Sequence, residues 1–179
     1  MKHELEMKFR LLNKSTFIKN LKDRGITFSC PIEQEDIVFF RKNKGYADLS
    51  NGEPVIRIRK QAGSISTTLK KNNHGFTDRL EVECKISDAD VFQNYLELLD
   101  IYPLITVKKQ RQVAQYKDAT ISIDHIPTLG TFVEIEIISN NEDTSLGLKM
   151  LSQIAIELGL DINLRITTPY DQMLYERLH

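Results

Sequence analysis

Tryptophan is absent, cysteine occurs twice, and neither sign of charge prevails: 24 Lys and Arg stand against 25 Asp and Glu, a formal net charge of -1. Each shortage closes off a class of protein. A near-balanced charge is unlike the basic arm of a nucleic-acid binder or a polybasic membrane surface, although it leaves room for a local basic pocket. Cys30 and Cys84 form no C-x-x-C pair. A thiolate zinc site is therefore not indicated, and two reduced thiols are expected. The four histidines, His3, His74, His125 and His179, lack metal-ligand spacing and suit surface or capping roles. No run of about 18 apolar residues is present, so no membrane-spanning helix is expected. The opening M-K-H-E-L-E has no apolar signal region, which makes a cytoplasmic location the expectation. Gly-rich phosphate loops of the G-x-x-x-x-G-K-[ST] or G-x-G-x-x-G type are missing, so any phosphate must be held by side chains instead. No Ser-His-Asp or Cys-His spacing is readable. No repeat or Pro/Gly/Ser linker divides the 179 residues, and one domain spanning 1–179 is expected.

What is present is mostly strand. Period-two alternation marks segments at 3–12, 35–41, 54–61, 64–71, 78–86, 105–116, 119–125 and 132–138. Short turns join many of them: Gly52 precedes the third, Gly63 lies between the third and fourth, N-N-H-G spans 72–75, and Lys117-Asp118 links two more. Four helices are expected. Ser15 caps one from about Thr16 to Arg24, stopped by Gly25, and Ser87 caps one running to Leu99, before Pro103. Asp143 or Thr144 opens one that Gly159 closes, and Pro169 starts the last, Tyr170 to Arg177. The pattern suggests an α+β protein built on a meandering antiparallel sheet, with about the number of strands at which a sheet can close into a barrel.

The polar faces of seven strands are ionic. Glu4, Glu6 and Lys8 share a face of the first, opposite Leu5, Met7 and Phe9. Arg57 with Arg59, Lys109 with Arg111, and Glu134 with Glu136 repeat the arrangement, as do Arg79, Glu81 and Glu83. Lys70 and Asp124 add one charge each to their strands. An open sheet with one wet face is the plain alternative. Wet faces, however, normally mix Ser, Thr, Asn and Gln with charges, and these groups are sorted by sign. If the sheet curls, charged side chains line an interior, and amphipathic helices must cover the apolar exterior. Clustered carboxylates suit a hard divalent cation, and clustered Arg and Lys suit consecutive phosphates.

Glu4-x-Glu6-x-Lys8 resembles the E-x-E-x-K signature of the CYTH superfamily, the triphosphate tunnel metalloenzymes. The likeness continues through Arg57-x-Arg59, Lys70, R-L-E-V-E at 79–83, Lys109-x-Arg111, Asp124 and F-V-E-I-E at 132–136, in the family's order. The stretch from K-K-Q-R-Q to F-V-E-I-E is similar to class IV adenylyl cyclases in particular. The resemblance implies an eight-stranded closed antiparallel tunnel with a charged interior, helices outside, and Mg²⁺ or Mn²⁺ as cofactor. It implies metal ligation by Glu4, Glu6, Asp124, Glu134 and Glu136. It implies triphosphate binding by Arg57, Arg59, Lys70, Arg79, Lys109 and Arg111, and catalytic roles for Lys8, Arg111 and Glu136. Asp36 matches an acidic position on the second strand, and Glu81 and Glu83 lie where cyclase-like members vary. The expected activity is that of an adenylyl cyclase converting ATP to cyclic AMP and pyrophosphate. The alternatives are a triphosphatase acting on thiamine triphosphate or inorganic triphosphate, and a non-catalytic polyphosphate or nucleotide binding module. The partner is then a nucleotide or other triphosphate, with no nucleic acid and no membrane. The family is often homodimeric, although no heptad or apolar stripe demands it.

Overall fold

In a computed structural model, residues 2–72, 78–139 and 144–179 are described, those at 2, 3, 50, 51, 78 and 79 by backbone alone. The chain runs β1 (Lys2–Arg10), α1 (Lys14–Lys22), β2 (Ile32–Arg41), β3 (Val55–Gln61), β4 (Ser64–Asn72), β5 (Asp78–Lys85), α2 (Ala89–Glu97), β6 (Ile101–Tyr116), β7 (Ala119–Ile126), β8 (Gly130–Ser139), α3 (Ser145–Glu157), β9 (Arg165–Ile166) and α4 (Tyr170–Leu178). The sheet is antiparallel, in the order β5-β4-β3-β2-β6-β7-β8-β1-β9.

The sheet curls until its far strands meet. β1 pairs with β5, but over four residue pairs only, Lys2–Leu5 against Asp78–Glu81. Further along the same edge of β1, Lys8 and Phe9 pair with β9 instead. The eight-stranded barrel closed along its length is therefore corrected to a nine-stranded sheet with a short seam. One edge of β1 cannot pair with two strands at the same place, and β9 occupies the part that full closure would need. The N-N-H-G turn continues from the end of β4 into residues outside those described.

Alternation decides which face turns in. Leu5, Met7 and Phe9 of β1 pack outward, with Ile121 and Ile123 of β7 and Val133, Ile135 and Ile137 of β8. Phe17 and Leu21 of α1, and Leu151, Ile154 and Ala155 of α3, cover them. The approach of α3 is close: a Cβ on Gly147 would lie 2.3 Å from Leu5 Cδ1. Helix α2 covers another part of the exterior, where Ala89 and Leu96 meet Phe39 and Ile58. Helix α4 does something else. Its Tyr170 and Leu174 pack with Val107 of β6, Ile126 of β7 and Phe132 of β8, filling one end of the curled sheet.

Element boundaries differ from expectation at the caps. Asn13, not Ser15, caps α1, its Oδ1 accepting from Thr16 N–H at 3.0 Å. Asp88, not Ser87, caps α2, accepting from the N–H groups of Asp90 and Val91. Thr144 occupies the cap of α3 without a side-chain cap bond, and Asp143 lies outside the described residues. Helix α4 starts at Tyr170 as expected, with Pro169 as its extended cap residue and not its first helical residue. Strand β6 starts at Ile101 and tolerates Pro103 because the β2–β6 register shifts between Val38 and Phe39, a bulge that spares the missing N–H. The hairpin from β3 to β4 closes through Ala62 and Gly63, both at positive φ, as a tight two-residue turn requires. Both cysteines are free and exposed, and no helix among the described residues is long and apolar enough to cross a membrane.

Candidate active site inside the curled sheet

The concave face encloses a cavity of about 290 Å³, near the lower end of the range for small-molecule sites, roughly 300–1,000 Å³. Its wall brings together Glu4, Glu6 and Lys8 from β1, Arg57 and Arg59 from β3, and Lys70 from β4. From the other side of the ring come Lys109 and Arg111 of β6 and Glu134 and Glu136 of β8. The sequence spreads these ten positions over 133 residues, and the alternating faces of five strands turn them to one centre.

Two expected residues stand apart. Asp124 is fully buried and does not line the cavity. It sits behind the cations: Arg111 Nε donates to its Oδ1 at 2.6 Å, Arg111 Nη2 donates to its Oδ2, and Lys109 Nζ lies 3.1 Å from that same Oδ2. As placed, it orients Arg111 and Lys109 and does not face the cavity as a metal ligand would. Arg79 lies on β5 opposite Glu4 in the pairing, with its side chain outside the described set.

The cations are held at two strengths. Two arginines are clamped: Arg59 grips Asp36 through Nε and Nη2, both at 2.6 Å, and Arg111 grips Asp124 in the same bidentate way. Arg111 also reaches Glu134 at 2.5 Å. Such forks fix the guanidinium plane. Lys70 pairs with Glu81 and lies 3.3 Å from Glu4. Lys8 lies 3.5 Å from Glu134 and donates to the Thr168 carbonyl at 3.3 Å. Arg57 Nη2 donates to Thr68 Oγ1, whose hydroxyl donates to Glu83. Arg57 Nε is buried with no hydrogen-bond partner among the described residues.

Burial and neighbouring charges set the protonation states. Burial would raise the Asp36 carboxyl, but the hydrogen bond from Arg59 and the charges of Arg57 and Lys109 outweigh it and hold it well below the usual carboxylate range. Burial, with repulsion from Arg111, brings Lys109 down to about 8 against the pull of Asp124. Glu136 moves the other way. Burial and the adjacent Glu4, with Glu6 behind it, push its carboxyl up to about 7, while Lys70 and Arg111 oppose. Glu6 and Glu136 are direct cross-strand partners, so the repulsion is built into the register.

Sequence reasoning missed the contribution of α4. Pro169, Tyr170 and Asp171 line the cavity beside Val38, Val55 and Val107, giving the ionic chamber an apolar end. Lys8 Nζ lies 4.1 Å from the centre of the Tyr170 ring, and Lys109 Nζ lies 5.2 Å from it. The only signal was Pro-Tyr-Asp at a helix start, which reads equally well as an ordinary cap.

The wall carries six Lys and Arg against eight Asp and Glu, a formal excess of two negative charges. Such an excess favours a polyphosphate that arrives with divalent cations over one that arrives alone. The donor set fits a hard cation: Glu4, Glu6 and Glu136 offer only oxygen and repel one another. No cluster of three or more such side chains is already gathered at ligating distance among the described residues, and a cation would have to draw these carboxylates in.

The CYTH domain model matches residues 2–163. A protein of Methanocaldococcus jannaschii, provisionally named as an adenylate cyclase, is 30% identical over 135 residues, covering 74% of this chain and 75% of that one. Among solved structures, a Vibrio parahaemolyticus protein, provisionally named an adenylate cyclase too, superposes with a TM-score of 0.80 at 20% identity, covering 96% of this chain and 97% of that chain. A Hippeastrum protein, provisionally named an adenylyl cyclase and described as having a dominant triphosphatase activity, gives a TM-score of 0.60 at 15% identity over 99% and 96% of the two chains. The solved structures speak to the fold.

Proposed function

This chain belongs to the CYTH domain family, and on that premise we propose that it is a divalent-metal-dependent enzyme acting on a triphosphate, with ATP cyclisation to cyclic AMP and pyrophosphate as its reaction. The observation that carries the reading is the meeting of six cationic and eight acidic side chains in one cavity on the inner face of a curled sheet. A module that merely captured anions would gain nothing from so many carboxylates.

Cyclisation requires the ribose 3′-hydroxyl to attack the α-phosphorus while pyrophosphate departs. Arg57, Arg59, Lys109 and Arg111 hold the phosphate chain, and the fixed forks of Arg59 and Arg111 limit its freedom before the attack. Lys8 and Arg111 meet the negative charge that grows on the leaving pyrophosphate; removing one contact of this kind typically costs about 10²–10³ in rate. Glu4, Glu6 and Glu136, with Glu134 beside them, would hold Mg²⁺ or Mn²⁺. When bound, the cation supplies Lewis-acid activation of the attacking oxygen and offsets phosphate charge. Asp36, in the wall, and Asp124, behind it, keep Arg59 and Arg111 oriented.

A triphosphatase is the second reading. Glu81 and Glu83 of the R-L-E-V-E stretch line the same cavity, and a structural relative is described as chiefly a triphosphatase. The two differ in which phosphorus meets the nucleophile. The test is to incubate the purified protein with ATP or inorganic tripolyphosphate, with Mg²⁺ or Mn²⁺, and to separate the products. Cyclic AMP with pyrophosphate supports the cyclase, orthophosphate supports the triphosphatase, and binding without turnover defeats both.

A further inference from the structure

Tyr170 opens α4 and is 7% exposed, with its ring in the cavity wall. The ring is held firmly. Phe132 packs against it at 5.1 Å between centroids, and the Lys8 and Lys109 ammonium groups sit over it. Its hydroxyl, by contrast, is buried with no hydrogen-bond partner among the described residues. Buried polar groups are seldom left so, and an exception calls for an explanation.

The surroundings of that hydroxyl supply one. Beyond burial itself, the charges that act on it most strongly are those of Glu134, Asp124, Arg111 and Glu6. The ring's place in the cavity wall and the two ammonium groups over it put Tyr170 at the edge of the ionic centre. Two of these carboxylates already accept from other donors: Asp124 from Arg111 and Lys109, and Glu134 from Arg111. A phenol at neutral pH can donate, and this one has no acceptor among the described residues.

We infer that the Tyr170 hydroxyl donates a hydrogen bond to a phosphoryl oxygen of the bound triphosphate, while the face of its ring holds the Lys8 and Lys109 ammonium groups ready for the same anion. This rests on the triphosphate reading of the cavity. It makes α4 part of the binding site as well as a filler of one end, and makes Tyr170 a residue that touches substrate. Because the hydroxyl has no partner to lose among the described residues, its removal separates binding from stability.

The test is Tyr170→Phe, which keeps the ring and both cation contacts and deletes one oxygen. Binding of magnesium tripolyphosphate is followed by calorimetry, thermal unfolding is followed without ligand, and Arg111→Ala is run alongside. The expected result is a ten- to hundred-fold rise in Kd, about the loss of one hydrogen bond to a charged group, with Tm unchanged or higher. Unchanged affinity overturns the inference while leaving the site assignment standing, provided that Arg111→Ala has lost binding. A fall in Tm also overturns it, since that would mean the hydroxyl is tied into the protein. A wild-type protein that does not bind, or an Arg111→Ala variant that binds normally, removes the triphosphate site itself and this inference with it.

Discussion

Replacing Glu136 by glutamine separates charge from shape where three carboxylates crowd. Burial, Glu4 and Glu6 hold the Glu136 carboxyl at about 7, against an ordinary 4.5. The direction of the consequence follows from proton binding. Below pH 4.5 both folded and unfolded chains carry the proton. Between 4.5 and 7 the unfolded chain releases it first, so the folded state loses relative stability as pH rises; above 7 the loss is complete. At about 1.4 kcal/mol for each pH unit of displacement, the cost has a ceiling of about 3 kcal/mol. Glu136 is half-buried, and water in the cavity screens its neighbours, so about 2 kcal/mol is the working value. For a chain of this length that is a Tm difference of about 4–8 °C. In chelator, with metal removed, Glu136→Gln should unfold near the wild-type temperature at pH 5 and above it at pH 8. Adding Mg²⁺ at pH 8 should raise the wild type and leave the variant nearly unmoved. A wild-type-minus-variant difference that stays flat from pH 5 to 8 would refute the carboxylate cluster and the cation assigned to it.

Other perturbations probe the cations. Arg111→Ala should lower turnover by about 10²–10³, and Arg111→Lys should not restore it, because an ammonium cannot reproduce the fork on Asp124; steady-state rates decide. Asp124→Ala should destabilise by about 3–5 kcal/mol in denaturant melts, since it strands Lys109 and Arg111 without their buried counter-charge. Tripolyphosphate affinity should fall as pH rises through about 8, where Lys109 loses its charge. Lys109→Arg should flatten that profile, and a flat wild-type titration would remove Lys109 from the phosphate site.

The strand faces were legible because a strand leaves its side chains no choice. Once Glu4, Glu6 and Lys8 alternate with Leu5, Met7 and Phe9, one set must turn away from α3, and register carries the rule from β1 to β8. The layer within a face was less legible. Asp124 is on the right strand but behind Arg111, because alternation gives direction and not depth. The seam was not legible, since nothing in the pattern of β1 tells which strand takes its second edge, and the two residues of β9 are too few to show a period. The α1 cap went to Asn13 over Ser15 because both side chains can accept the orphan N–H and their spacing alone does not rank them. Tyr170 and Asp171 were hidden for a different reason: a helix end carries no mark of the cavity it will enter.

The two strengths of cation clamp have a thermodynamic consequence. Arg59 and Arg111 each rest on a buried aspartate that an incoming anion does not need to displace. Lys70 and Lys8 instead lie near Glu4 and Glu134, at 3.3 and 3.5 Å, and those are carboxylates assigned to the cation. A phosphate that draws the two lysines to itself weakens their hold on Glu4 and Glu134 and makes both better cation ligands. A cation that draws the carboxylates in releases the lysines toward phosphate. The same exchange runs in both directions, so the coupling must be equal in both: the factor by which Mg²⁺ tightens tripolyphosphate is the factor by which tripolyphosphate tightens Mg²⁺. A coupling of about 5- to 150-fold is the ordinary range for two interacting sites. Titrations in each order, corrected for magnesium tripolyphosphate formed in solution, should give one factor above unity. Replacing Lys8 and Lys70 together by methionine should lower it, leaving what the direct attraction of cation for phosphate and the Arg111 contact to Glu134 supply. A coupling left unchanged by the double substitution would mean that the lysines and carboxylates do not trade partners.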